Sequence, residues 1–294
     1  MAPRAAALAR EGERDVATDL LGHYLATAPD DGRAWFQLGR FYLLDARDWH
    51  GRGHEGEPSG LLYLDFAATA FDQSVRLAVD SGVVYRDMVE MGRALIYVEE
   101  HGWADARMRA PGSDAPPLPD FLLELGDNLL NSCPSGGVLL TGSDLEAVSV
   151  WYASSVARRR PDLLPLQPDL YAVDSVYRRS MAGALNADPS LPVRQALALV
   201  ATRRPICMSP LADSGAVPSA SWHAVRLVRV SGVTGTESAE PLTVTDLVRN
   251  ERRGTIAWVR EVEAIYHAAA RHNTLLCAGI LTSLGDRSLE ACGR

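Results

Sequence analysis

The sequence predicts a mixed, predominantly α fold in which helical hairpins flank a small α/β segment. Two observations carry that expectation. From Trp35 to Tyr42, and again from Tyr85 to Gly92, apolar and small residues recur at helical spacing. Between Leu118 and Asp162 the order changes to helix, tight turn, apolar strand, acidic turn and helix, which is half of a βαβ unit.

Trp35, Leu38, Gly39 and Tyr42 fall on one helix face, with the small Gly39 allowing a second helix to approach closely. Four positions in this register resemble the first helix of a tetratricopeptide repeat. Ala17, Leu21 and Tyr24 fill the inward positions of the preceding helix, and Pro29 marks its end. Ala67 and Phe71 fit the second helix of the Trp35 repeat after an insertion of about 16 residues relative to the ~34-residue period. The insertion, Asp48 to Leu61, is rich in glycine and is expected to be an exposed loop. Tyr85, Met88, Val89 and Gly92 suit one more first helix. Trp35, Tyr42, Phe71 and Tyr85 are expected in the core.

A Pro-rich linker at 111–119 separates residues 1–110 from an α/β domain at 120–240. Phe121 to Leu130 reads as a helix ending near Cys133-Pro134. Val138 to Thr141 follows a Pro-Ser-Gly-Gly turn as a buried strand, and Asp144 is expected to cap the next helix. Leu163 to Leu166 and Pro205 to Met208 are further strands. Asp169 to Leu185 reads as one helix with Leu170, Val173, Val176, Tyr177 and Met181 inward, and Val193 to Val200 as another. Ala224 to Val230 alternates, as an edge or antiparallel strand does.

Residues 241–294 return to helices. Thr243 to Arg252 is one, and Ile256 to about Leu284 is a longer tract interrupted near His272-Asn273. Leu284-Gly285-Asp286 with Leu289 and Ala291 resembles part of another tetratricopeptide unit.

The middle of the chain carries a second resemblance. Gly126-Asp127-Asn128-Leu129-Leu130, Gly137-Val138-Leu139-Leu140-Thr141, Trp151-Tyr152, Arg160-Pro161-Asp162, Tyr177 and Arg204-Pro205-Ile206 occur in that order. From roughly Leu123 to Val230 the chain resembles the soluble C-terminal region of bacterial O-mannosyltransferase-like membrane proteins. That region implies an α/β segment flanked by tetratricopeptide repeats. Where the family carries Gly-Asp-Asn-Asp, this chain has Ser143-Asp144-Leu145-Glu146. The family's transferase half is absent from this sequence, so no transferase activity is implied.

Charge and composition bound the function. The 29 basic residues, all arginine, stand against 37 acidic ones for a net charge of -8. That excludes a nucleic-acid surface built on bulk charge. No apolar run reaches the ~20 residues of a membrane span, and the N-terminus lacks the apolar core of a signal peptide. The expected setting is therefore cytoplasmic. Cys133, Cys207, Cys277 and Cys292 match no paired metal spacing and are expected to be buried or incidental thiols.

Two groups of side chains are candidate sites. Ser143, Asp144 and Glu146 follow a strand's carboxyl end, where open α/β sheets bind ligands; two carboxylates there suit a cation or a shared proton. The alternative is that Asp144 caps a helix and Glu146 favours its positive end. Ser143 lacks the Gly-x-Ser-x-Gly frame of a nucleophile turn. His50, Arg52 and His54 in the inserted loop are candidate partner contacts. No cofactor, metal or catalytic residue is expected. The function expected is a non-catalytic scaffold or adaptor that binds a protein or peptide partner in the groove of its helical repeats. The resemblance adds that it could serve within a membrane-associated complex. The alternative is a sugar-nucleotide or cation-binding domain using the 141–146 turn.

Overall fold

A computed structural model describes residues 1–51, 59–102, 117–217, 221–232, 242–253, 258–273 and 276. The protein is predominantly helical with a small mixed sheet. The chain forms two compact units, one on Met1–Ile96 and one from Leu118 onward.

In the first unit, α1 (Ala2–Arg10) turns at Gly12, whose φ of 90° favours glycine, into α2 (Arg14–Thr27). Helix α3 spans Gly32–Gly51, α4 Ser59–Arg76 and α5 Ser81–His101. Ala5, Ala17, Leu21, Leu25, Ala34, Leu38 and Phe41 form the core of the first three helices. The predicted close approach at Gly39 is present. A Cβ there would come within 2.7 Å of the Phe71 ring of α4. Tyr42 meets Phe66 at 5.3 Å between ring centroids, so α3 and α4 run antiparallel. Gly82 lies against Ser74 and Gly92 against Leu64, which sets α5 antiparallel to α4.

Two expectations here are corrected. Phe71 is fully buried, but Trp35, Tyr42 and Tyr85 are only half-buried. Trp35 lies at the rim because its indole Nε1 donates to the Pro29 carbonyl at 2.8 Å, an exposed bond. The inserted segment is helical at both ends rather than a loop throughout. Helix α3 runs on to Gly51 and α4 begins at Ser59, since the helical pattern outweighs the scattered glycines at both ends.

The second unit is built on α6 (Asp120–Ser132), β1 (Val138–Leu140), α7 (Asp144–Trp151), β2 (Leu164–Leu166), α8 (Pro168–Val173), α9 (Ser175–Leu185) and α10 (Val193–Val200). There follow β3 (Ile206–Met208), β4 (His223–Val225), β5 (Val228–Ser231), α11 (Thr245–Arg253) and α12 (Val259–Ala270). The sheet order is β2-β1-β3-β5-β4. Strand β1 pairs parallel with β2 and β3, and β5 pairs antiparallel with β3 and β4. All three residues of β1 are buried, as its apolar run requires.

Three local readings change. The tract from Asp169 breaks at Asp174, whose carboxylate accepts from the Val176 and Tyr177 N–H groups, both at 2.9 Å, and caps α9. With the break, Tyr171 is buried and Val173 is 67% exposed rather than inward. The strand expected over Ala224 to Val230 is a hairpin, β4–β5, turning through Arg226 at φ 50°. Cys133 and Cys207 are joined by a disulfide, not left as thiols, between the end of α6 and β3. Of the tract from Ile256 the described residues include α12 and the helical Leu276, and the unit expected at Leu284 to Ala291 lies outside them.

Candidate functional site

The carboxyl ends of β1 and β3 define the natural ligand position of this sheet. From β1 the chain crosses to β2 on one side, and β3 lies on the other, so the strand order reverses between them. The Thr141 to Glu146 turn sits there.

The turn has the Ser143-x-x-Glu146 spacing of a capping box, but the glutamate reaches the N–H of Gly142, one residue before the cap. Ser143, extended at φ -139°, is the N-cap of α7, and its Oγ accepts from the Glu146 N–H at 3.2 Å. This corrects the expectation that Asp144 is the cap. Asp144 is the exposed first residue of the helix, near its positive end.

Glu146 points the other way and is fully buried. Its Oε2 accepts from the Gly142 N–H at 2.9 Å and from the Ser209 hydroxyl at 2.8 Å. Its Oε1 accepts from the Leu211 N–H at 3.1 Å. Burial pushes the carboxyl pKa up, opposed by the donors from Ser209, Gly142 and Leu211. A Cβ on Gly142 would collide with Leu211 and Ala212, so the two loops are in direct contact. Asp144 and Glu146 therefore do not share a site. The backbone N–H groups that would hold an anion at the strand ends already hold Glu146.

The residues of the central motifs are likewise turned inward. A Cβ on Gly126 would collide with the Ser149 carbonyl, so this glycine sets the spacing of α6 and α7. Asn128 accepts from the Thr243 N–H at 3.2 Å and donates to Tyr266 Oη at 2.7 Å. Glu124 accepts from the Asp246 and Leu247 N–H groups at 2.9 and 3.2 Å, holding the start of α11. Arg160 donates to the Leu130 and Cys133 carbonyls at 2.9 and 3.1 Å, capping α6. Asp162 pairs with Arg160 at 2.9 Å and accepts from the Gly136 N–H at 3.0 Å. Arg204 Nε donates to the Gly136 carbonyl at 2.6 Å. These side chains build the frame.

In the first unit, exposed large apolar side chains lie on α4 as well as at Met1, Val16 and Leu44. Leu62 is 50% and Phe66 43% exposed, one turn apart, with Thr69 completing the stripe. Asp65, between them, is held by Arg93 at 2.6 Å. His50 falls in the last turn of α3; Arg52 and His54 lie outside the described residues. Sequence reasoning missed Ser209 and Leu211, partners that no local signal points to, and placed the cap at Asp144 rather than Ser143.

No known protein family, curated protein or solved structure matches the chain. Among the described residues, no helix is long and apolar enough to cross a membrane.

Proposed function

We propose that the protein is a non-catalytic adaptor whose N-terminal helices, read as tetratricopeptide-like hairpins, bind a protein or peptide partner. The observation that carries this reading is the Leu62–Phe66 stripe on α4. Large apolar side chains aligned on one exposed helix face cost solubility and are the usual anchors for a partner segment. The rival, a sugar-nucleotide or cation site at 141–146, is weighed against by Glu146, which occupies the N–H groups such a ligand would need. The resemblance of the central segment supports a partner within a membrane-associated assembly. A cytoplasmic setting rests on composition, and the Cys133–Cys207 bond weighs against it.

The test is selection of displayed random peptides on the protein, followed by measurement of the selected peptides against Leu62→Asp/Phe66→Asp. Peptides with apolar anchors should bind the wild type and lose binding to the variant, which should stay cooperatively folded. Equal binding to both proteins would move recognition away from α4.

A further inference from the structure

Arg229 of β5 stands opposite Met208 of β3, at the carboxyl edge of the sheet. Together with Ala224, Ala269 and His272, these residues line a small cavity between the sheet and the end of α12. It has room for roughly one water-sized group. Among the described residues no Asp or Glu lines it. Among the described residues the buried Arg229 Nε has no acceptor, and its Nη2 reaches the Met208 sulfur at 3.8 Å, a weak acceptor. A buried guanidinium donor without an oxygen is costly, and a charge-assisted bond to an oxyanion removes that cost.

The charges around the cavity select the anion. Arg226 also lines it, but its guanidinium donates to the Asn131 carbonyl at 3.2 Å. His272 has its pKa lowered by burial and by Arg229 and Arg271, so at neutral pH it offers one N–H and no charge. One guanidinium and one neutral donor match a singly charged, planar acceptor with two oxygens.

We propose that the Arg229–His272 notch binds a carboxylate, one oxygen entering the cavity to meet Arg229 Nε–H and the other accepting from the imidazole. The site lies in the second unit and stands independently of the adaptor reading. The carboxylate belongs to a small organic acid or to the end of a peptide, and the recognition chemistry is shared.

The experiment follows the Arg229 Nε–H resonance by heteronuclear NMR in the full chain, at constant ionic strength. Propionate, acetyl-trialanine, its C-terminal amide, inorganic phosphate and chloride are titrated in turn. Propionate and acetyl-trialanine should give a saturable shift, and the amide and chloride none. Tighter binding of acetyl-trialanine would assign the carboxylate to a peptide, and equal binding to a small acid. In His272→Gln, checked to keep the wild-type melting temperature, carboxylate affinity should fall about tenfold. No saturable shift with either carboxylate, saturation with phosphate alone, or unchanged affinity in His272→Gln would overturn the proposal.

Discussion

Glu146 Oε2 and Ser209 Oγ lie 2.8 Å apart, so one buried hydrogen bond ties the turn after β1 to the turn after β3. With the Gly142 and Leu211 N–H groups on the same carboxylate, the position where an open α/β sheet binds a ligand is filled from within.

Glu146→Ala should therefore behave as a loss of framework. It leaves two backbone N–H groups and a hydroxyl unsatisfied, at a cost of ~3–5 kcal/mol. Glu146→Gln sets an NH2 against a donor and should cost ~1–3 kcal/mol. Burial raises the Glu146 pKa in the folded state. The wild type should thus hold its full advantage over Glu146→Gln in acid and lose part of it as pH rises through that raised value. Denaturant titrations of both proteins across pH read this directly.

Asp87 of α5 supplies a second pH dependence. Its carboxyl is fully buried, and neither oxygen has a hydrogen-bond partner among the described residues. Burial, opposed by Arg86 and aided by Glu90, pushes its pKa to about 7. A folded-state value above the unfolded one means stability is present below the ordinary carboxylate range and lost as pH rises through about 7. Asp87→Asn should flatten that slope and stabilise the protein in mild alkali by roughly 2 kcal/mol. An unaltered slope in the variant would show that the carboxyl is not the titrating group.

Asp162 should act in the opposite sense. The Arg160 hydrogen bond, with the Gly136 N–H, holds its pKa down to about 2. With the side chain 37% exposed, screening limits the cost of Asp162→Asn at neutral pH to about 0.5–1 kcal/mol. That difference should vanish as pH falls toward about 2. Arg160→Met also removes the cap on α6 and should cost more, ~1–3 kcal/mol.

The disulfide gives a prediction that needs no mutation. Cys133 and Cys207 are 74 residues apart in sequence, and closing a loop of that size stabilises by about 4 kcal/mol in the chain-entropy account. Reduction should lower the denaturation midpoint correspondingly, and peptide mapping without reductant should recover a Cys133–Cys207 crosslinked pair.

How far the sequence revealed this architecture depended on whether the signal was local. The buried strand Val138–Leu140 and helix Val193–Val200 were legible because a turn or a proline bounds a single apolar pattern. The break at Asp174 was not, since a capping aspartate inside an amphipathic run leaves its periodicity nearly intact. Nor was the β4–β5 turn, where Arg226 takes the positive φ that Gly or Asn would have advertised. Trp35 was misplaced because helical spacing fixes a face but not its depth: Trp35→Ala should cost ~1–2 kcal/mol, against ~3–5 for Phe71→Ala. Within the candidate site, the cap was expected at Asp144, one residue past the true cap Ser143, because either residue type can cap a helix. The Glu146 carboxylate's long-range partners Ser209 and Leu211 could be seen only once β1 and β3 were side by side.

The central claim is that recognition belongs to the N-terminal helices, while the carboxyl edge at Glu146 is framework. Amide hydrogen exchange of the protein, alone and saturated with a peptide selected on it, tests this most directly. The account predicts new protection along Gly32–Gly51 and Ser59–Arg76, with exchange at Gly142, Glu146 and Leu211 unchanged. Protection appearing instead at Gly142 to Glu146 and Leu211, with α3 and α4 unaffected, would contradict it.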